Sequence, residues 1–144
     1  RFPRGKSEIE EFVSDSTIKL GKGNIVKTGK DTAIFAFGNM LEIALKASEK
    51  INATVIDMRF VKPLDKNLII EIANNSKLLI SIEDNTVNGG AGSAINELLQ
   101  ENNISTPLKI LGVPDKVTEH GSQSELYELY GLTPENIINI SEHK

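Results

Sequence analysis

The stretch KLLISIEDNTVNGGAGSAINELL, Lys77 to Leu99, decides the fold. An apolar run from Lys77 to Ile82 predicts a buried strand. Three glycines in four residues follow, and then Ala91, Ile95, Leu98 and Leu99 recur at helical spacing. Strand, glycine-rich turn and amphipathic helix make half of a parallel β-α-β unit. The same order binds phosphate in many nucleotide sites, because free amides and the positive end of a helix dipole converge at such a turn. Here no Gly-Lys-Ser/Thr follows the glycines and the GxGxxG spacing is absent. Glu83 and Asp84 just upstream would repel a phosphate. The glycines therefore read as a packing turn.

Working outward, the rhythm repeats. IVKTGKDTAIFAF predicts a hairpin around Thr28 to Asp31, with its second strand at Thr32 to Phe37. From Met40 to Ile51 the period becomes helical, and Thr54 to Met58 is the next strand. Asp65 is placed to cap a helix carrying Leu68, Ile69, Ile72 and Ala73 that ends near Asn74 and Asn75. A short strand at Leu108 to Gly112 precedes a capping box, Ser122 with Glu125, and a helix stopped by Gly131. Thr133-Pro134 starts a last helix. Alternation at this spacing predicts an α/β fold, with helices on both faces of one largely parallel sheet and the hairpin supplying one antiparallel strand.

With 144 residues, 39% of them hydrophobic, the chain is long enough for one ordinary core. A net charge of -4 argues against a general nucleic-acid surface or a polybasic membrane patch, and no apolar run reaches membrane-spanning length. Zero cysteines excludes disulfides and thiol chemistry. The first residues lack the apolar stretch of a secretory signal, and the chain opens without Met, so a piece cut from a longer protein is expected. The division expected is an arm or linker over 1-16 and one domain over 17-144.

Ligands of such sheets sit at the carboxyl ends of the parallel strands, where the loops FGNM, MRFVKPLD, IEDNTVNGGAGS and LGVPDKVTEHG fall. Chemistry there is sparse. His120 has no serine or acid at triad spacing, and two histidines with scattered carboxylates give no metal pattern. Arg59 and Lys62 beside Phe60 suit either an anion or a salt bridge to Asp65 or Glu83. Arg1, Arg4 and Lys6 concentrate positive charge at the start of the chain.

Taken together, RFPRG at Arg1 to Gly5, DMRFVKPLD at Asp57 to Asp65, IEDNTVNGGAGS at Ile82 to Ser93 and LGVPDKVTEHGSQSELYELYGL at Leu111 to Leu132 resemble the C-terminal third of the 1-deoxy-D-xylulose-5-phosphate synthase family. A weaker likeness extends to the C-terminal domains of transketolase and of 2-oxo acid dehydrogenase β-subunits. Asp84 departs from that family's usual second Glu, conservatively in charge.

The resemblance implies a three-layer α/β/α sandwich around a five-stranded mixed sheet with one antiparallel strand. It implies a parent transferase that uses thiamine diphosphate and magnesium to condense pyruvate with D-glyceraldehyde 3-phosphate, releasing CO2, for isoprenoid, thiamine and pyridoxal synthesis. The cofactor would lie between upstream domains, leaving this chain no catalytic, cofactor-binding or metal-binding residue. It would contribute structural and homodimer surfaces. Arg4 would hold the acceptor phosphate, a task suited to its planar fork of donors. Bacterial cytoplasm is the expected location, or a plastid-type organelle in a eukaryote. A free-standing partner-binding module on the same fold is the alternative of another class.

Overall fold

The computed structural model describes residues 17-143. Five strands, β1 (Asn24–Lys27), β2 (Thr32–Ala36), β3 (Thr54–Asp57), β4 (Leu78–Thr86) and β5 (Leu108–Val113), form one sheet. Five helices join them: α1 (Met40–Ile51), α2 (Lys66–Asn74), α3 (Ala91–Glu101), α4 (Gln123–Leu129) and α5 (Pro134–Glu142). The sheet order is β1-β3-β2-β4-β5, and only β1 runs antiparallel.

Two apolar clusters make the layers. Ile34, Ala36, Ile80 and Ile82 pack with Met40, Leu41 and Ala44 of α1 and Ile137 of α5. Ala33, Phe35, Leu79 and Ile56 pack with Ile69 and Ala73 of α2 and with Ile95, Leu98 and Leu99 of α3. Consecutive residues of β2 thus serve opposite helical layers, as the two-residue period of a strand requires. Because both of its faces are covered, all five residues of β2 are buried.

The expected hairpin is not formed. β1 pairs with β3, with Asn24 opposite Asp57, while β2 lies between β3 and β4. Both flanks of β2 are taken by parallel neighbours, so β1 has only the outer edge of β3 to join. Residues 28-31 must then cross the start of β3. Lys30 N donates to Asn52 O at 2.7 Å, and Gly29 N donates to Thr54 Oγ1 at 3.0 Å. A Cβ at Gly29 would lie 2.1 Å from Asn52 O, so only glycine passes so close to that backbone.

The expected helix starts hold. Asp65 caps α2 through Leu68 N, Ser122 and Glu125 exchange both bonds of the capping box, and Thr133 caps α5 with Pro134 following. β4 runs beyond the expected Ile82 to Thr86. The pairing with β5 shifts register between Ile82 and Thr86, so an irregularity carries the strand through its polar residues.

Candidate functional site

In an open parallel sheet the binding crevice lies at the carboxyl ends of the strands, where successive connections leave for opposite faces. Here that point lies between β2 and β4. The chain leaves β2 for α1 on one face and leaves β4 for α3 on the other. The two adjacent acids at the end of β4 have separate tasks on the two faces.

Glu83 serves the α3 side. Its carboxylate is buried, with 4% of the residue exposed, and accepts from Ala91 N and Gly92 N at 2.8 Å each. Those amides belong to the first turn of α3, whose cap Gly90 offers no side chain. The anion seat after the glycine-rich turn is thus filled from within the chain. The glycines fit this seat. A Cβ at Gly90 would fall 2.3 Å from Thr86 O and 2.5 Å from Glu83 Oε2, and one at Gly92 would meet Ser81 Oγ and Ile110 Cγ2 at 2.5 Å. Gly89 is in the left-handed region at φ +72° with open space around it. Two of the three glycines answer to crowding and one to backbone conformation.

Asp84 serves the other side. Its Oδ2 accepts from Tyr127 Oη at 2.8 Å and from Asn39 Nδ2 at 3.3 Å, while Asn39 Nδ2 and Gln123 Nε2 also donate to Tyr127 Oη. This bolt joins the β2-α1 turn, β4 and α4. Asn39 precedes α1 with helical backbone angles, φ -64° and ψ -11°, and makes no side-chain cap; its Nδ2 donates within the bolt. Burial, followed by the hydrogen bond to Asp84 and its negative charge, pushes the Tyr127 phenol up to about 12, against the opposing donors Asn39 and Gln123. Tyr127 is therefore neutral across physiological pH and acts as a hydrogen-bonding post. Beside it, α4 and the ends of β4 and β5 border an open cavity of about 550 Å³ lined in part by Thr86, Val113, Pro114, Lys116 and Leu126.

The remaining candidates do not converge there. His120 is exposed in the β5-α4 connection. Arg59 Nε pairs with Asp57 Oδ2 at 3.1 Å, in place of the expected partners Asp65 or Glu83. Asp65, 6% exposed, is held by Lys22 Nζ at 3.0 Å and Gly23 N at 3.2 Å, and Glu83 is committed to α3. Lys62 is exposed and precedes Pro63 across a cis peptide bond. Arg1, Arg4 and Lys6 lie outside the described residues. Among the described residues no three His, Asp or Glu side chains are grouped to hold a metal. Sequence reasoning did not find the Asn39, Asp84 and Tyr127 bolt, whose members share no spacing pattern.

Residues 21-137 match the family model described as the transketolase C-terminal domain. The 1-deoxy-D-xylulose-5-phosphate synthase of Dechloromonas aromatica is 46% identical over 140 residues, which is 96% of this chain and 22% of that protein. The same-named enzyme of Nitrosococcus oceani is 45% identical over 139 residues, again 96% and 22%. A solved structure described as a split gene transketolase, inactive β4 tetramer, superimposes with a TM-score of 0.85 at 33% identity, covering 94% of this chain and 46% of that one. The chain spans about a fifth of the length of the curated relatives it matches. Sheet order, layers and sequence agree, and the chain belongs to the transketolase C-terminal domain family, with 1-deoxy-D-xylulose-5-phosphate synthases among its curated relatives.

Proposed function

We propose that this chain is the C-terminal domain of a 1-deoxy-D-xylulose-5-phosphate synthase. The observation that carries this reading is 46% identity across 96% of the chain to an enzyme of that name. The solved transketolase relative, at 33%, is more distant in sequence. On this reading the whole enzyme condenses pyruvate with D-glyceraldehyde 3-phosphate and releases CO2. Thiamine diphosphate with Mg2+ supplies the carbanion chemistry. It works as a homodimer in the bacterial cytoplasm.

The described residues do not fit the cofactor. The one glycine-rich strand-to-helix turn suited to a diphosphate is filled by the Glu83 carboxylate, with Gly90 against it. A diphosphate at that seat would meet a buried negative charge. The cofactor and its metal therefore belong to other parts of the enzyme, and this domain supplies structure and access to the site.

Residues 1-16 act as the linker from the preceding domain. Within it Arg4, between Pro3 and Gly5, presents its guanidinium to the acceptor phosphate. In the full-length enzyme Arg4→Ala lowers kcat/KM for glyceraldehyde 3-phosphate by about 30- to 1000-fold, as loss of a charge-assisted contact worth about 2 to 4 kcal/mol requires. Arg4→Lys recovers part of it, and an acceptor aldehyde without phosphate is little affected. Equal losses for both acceptors would remove the phosphate role. Saturable heat on titrating this chain alone with thiamine diphosphate and Mg2+ would overturn the assignment of the cofactor to other domains.

A further inference from the structure

Of all the asparagines in the chain only Asn88 is followed by glycine. That pair is chemically labile. The side-chain carbonyl carbon of an asparagine is open to attack by the next main-chain nitrogen, and the approach is least hindered where the next residue has no side chain. The fold leaves room for it. Asn88 and Gly89 are both exposed, and nothing lies within 4 Å of the position that a Cβ at Gly89 would take.

Two contacts restrain the pair. Asn88 Nδ2 donates to Asp115 Oδ2 at 3.3 Å, which ties the turn after β4 to the connection after β5. Gly89 N donates to Ser93 Oγ at 3.2 Å, and the same hydroxyl donates to Val87 O at 2.7 Å. The leaving amide and the attacking nitrogen are thus held by surface hydrogen bonds, which local opening of a turn breaks at small cost. The next residue has no such freedom. Gly90 passes so close to Thr86 O and the Glu83 carboxylate that a Cβ there would overlap both, and Ala91 N and Gly92 N follow directly on Glu83. Any lengthening of the main chain at residue 88 must therefore be taken up at that seat.

We propose that Asn88 is a site of spontaneous deamidation, restrained by Ser93 and Asp115, whose conversion frees the glycine-rich turn from Asp115 and loosens the Glu83 seat. When Gly89 N leaves Ser93, it attacks Asn88 Cγ and closes a cyclic imide. The Cγ-Nδ2 bond breaks, and the amide nitrogen departs as ammonia with the proton from Gly89 N. Water then adds to one of the two imide carbonyls and opens the ring, giving aspartate at one and isoaspartate at the other. No oxidant or reductant is needed. Either product carries a carboxylate at 88 that cannot donate to Asp115 and is repelled by it. Isoaspartate also routes the main chain through the former side chain, one methylene longer, immediately before the crowded Gly89-Gly90 step.

The test incubates this chain at mildly alkaline pH and follows it by peptide mapping that separates asparagine, aspartate and isoaspartate at each position. Conversion at Asn88 is expected to be about tenfold or more faster than at Asn75 and Asn103, which are also exposed but precede Ser76 and Ile104. Ser93→Ala is expected to speed conversion at 88 by roughly threefold, since it releases the attacking nitrogen, and Gly89→Ala to slow it about tenfold. No preference for 88, or a rate there indifferent to both substitutions, would overturn the proposal. The consequence is read on the isoaspartate form, separated from the starting chain by its added negative charge. Hydrogen exchange at Ala91 N and Gly92 N is expected to be about threefold or more faster than in the unconverted chain, with Leu68 N, capped by Asp65, unchanged. Equal exchange at Ala91 and Gly92 in the two forms, or equal acceleration at Leu68, would overturn the link between Asn88 and the seat.

Discussion

The two ends of the sheet are built differently. At the amino end the connections satisfy one another: Lys30 N donates to Asn52 O, Lys77 N and Leu78 N donate to Asp31 O, and Thr106 Oγ1 donates to Ala73 O. Turn residues there take the left-handed conformation at Asp31, Asn52 and Asn103, residue types that tolerate it. At the carboxyl end main-chain bonds are present too, from Phe37 N to Ile82 O, Met58 N to Ala36 O and Val87 N to Val113 O, and carboxylates add to them. Glu83 holds α3, Asp65 holds α2 and the arriving chain, and Asp84 holds α4 through Tyr127. Both ends have main-chain bonds between their connections, and the carboxyl end adds three acids beside exposed apolar residues and a cavity.

Substitutions separate the two ends by size of effect. Gly29→Ala is expected to be the most severe, about 3 kcal/mol or more by chemical denaturation, since the added methyl meets main-chain atoms on a neighbouring turn. A loss under 1 kcal/mol would show that the amino end is looser than its contacts indicate. Glu83→Ala follows at about 2 to 3 kcal/mol, because it strands the amides of Ala91 and Gly92 in a buried site. Glu83→Gln should recover part of this, as its side-chain carbonyl still accepts one of the two bonds.

Tyr127→Phe is smaller, about 1 kcal/mol near neutral pH, for the loss of the bond to Asp84. Its sharper signature is alkaline. A phenol raised from 10.0 to about 12 on folding contributes stability that is whole below pH 10 and lost as pH rises through 12. The parent should therefore lose more stability than Tyr127→Phe between those pH values, and parallel curves would contradict the bolt. Val117→Glu should change the stability of this chain by less than about 0.5 kcal/mol, because the residue touches almost nothing here.

Much of this was legible in the sequence. The helix from Met40 to Ile51, the Asp65 cap and the Ser122-Glu125 box fall where period and capping chemistry place them. Those signals are local. The partner of β1 was not legible, since Thr28 to Asp31 has the chemistry of a turn whether it closes a hairpin or crosses a third strand; the competition of β3 and β4 for β2 decides it. The two acids after Ile82 were legible as hostile to phosphate, but only the structure places Glu83 in the anion seat itself. The bolt was invisible because Asn39 and Tyr127 are 88 positions apart and neither has a periodic or motif signature. Arg4 lies outside the described residues, so its role stays with the full-length enzyme.

The difference between the ends is tested most directly by hydrogen exchange on this chain and on the full-length polypeptide, read at matched amides. The account predicts at least tenfold slower exchange in the full-length protein across residues 59-64 and 114-121, with residues 28-31 and 102-106 unchanged. Slowing at the amino-end connections, or none at either end, would contradict it.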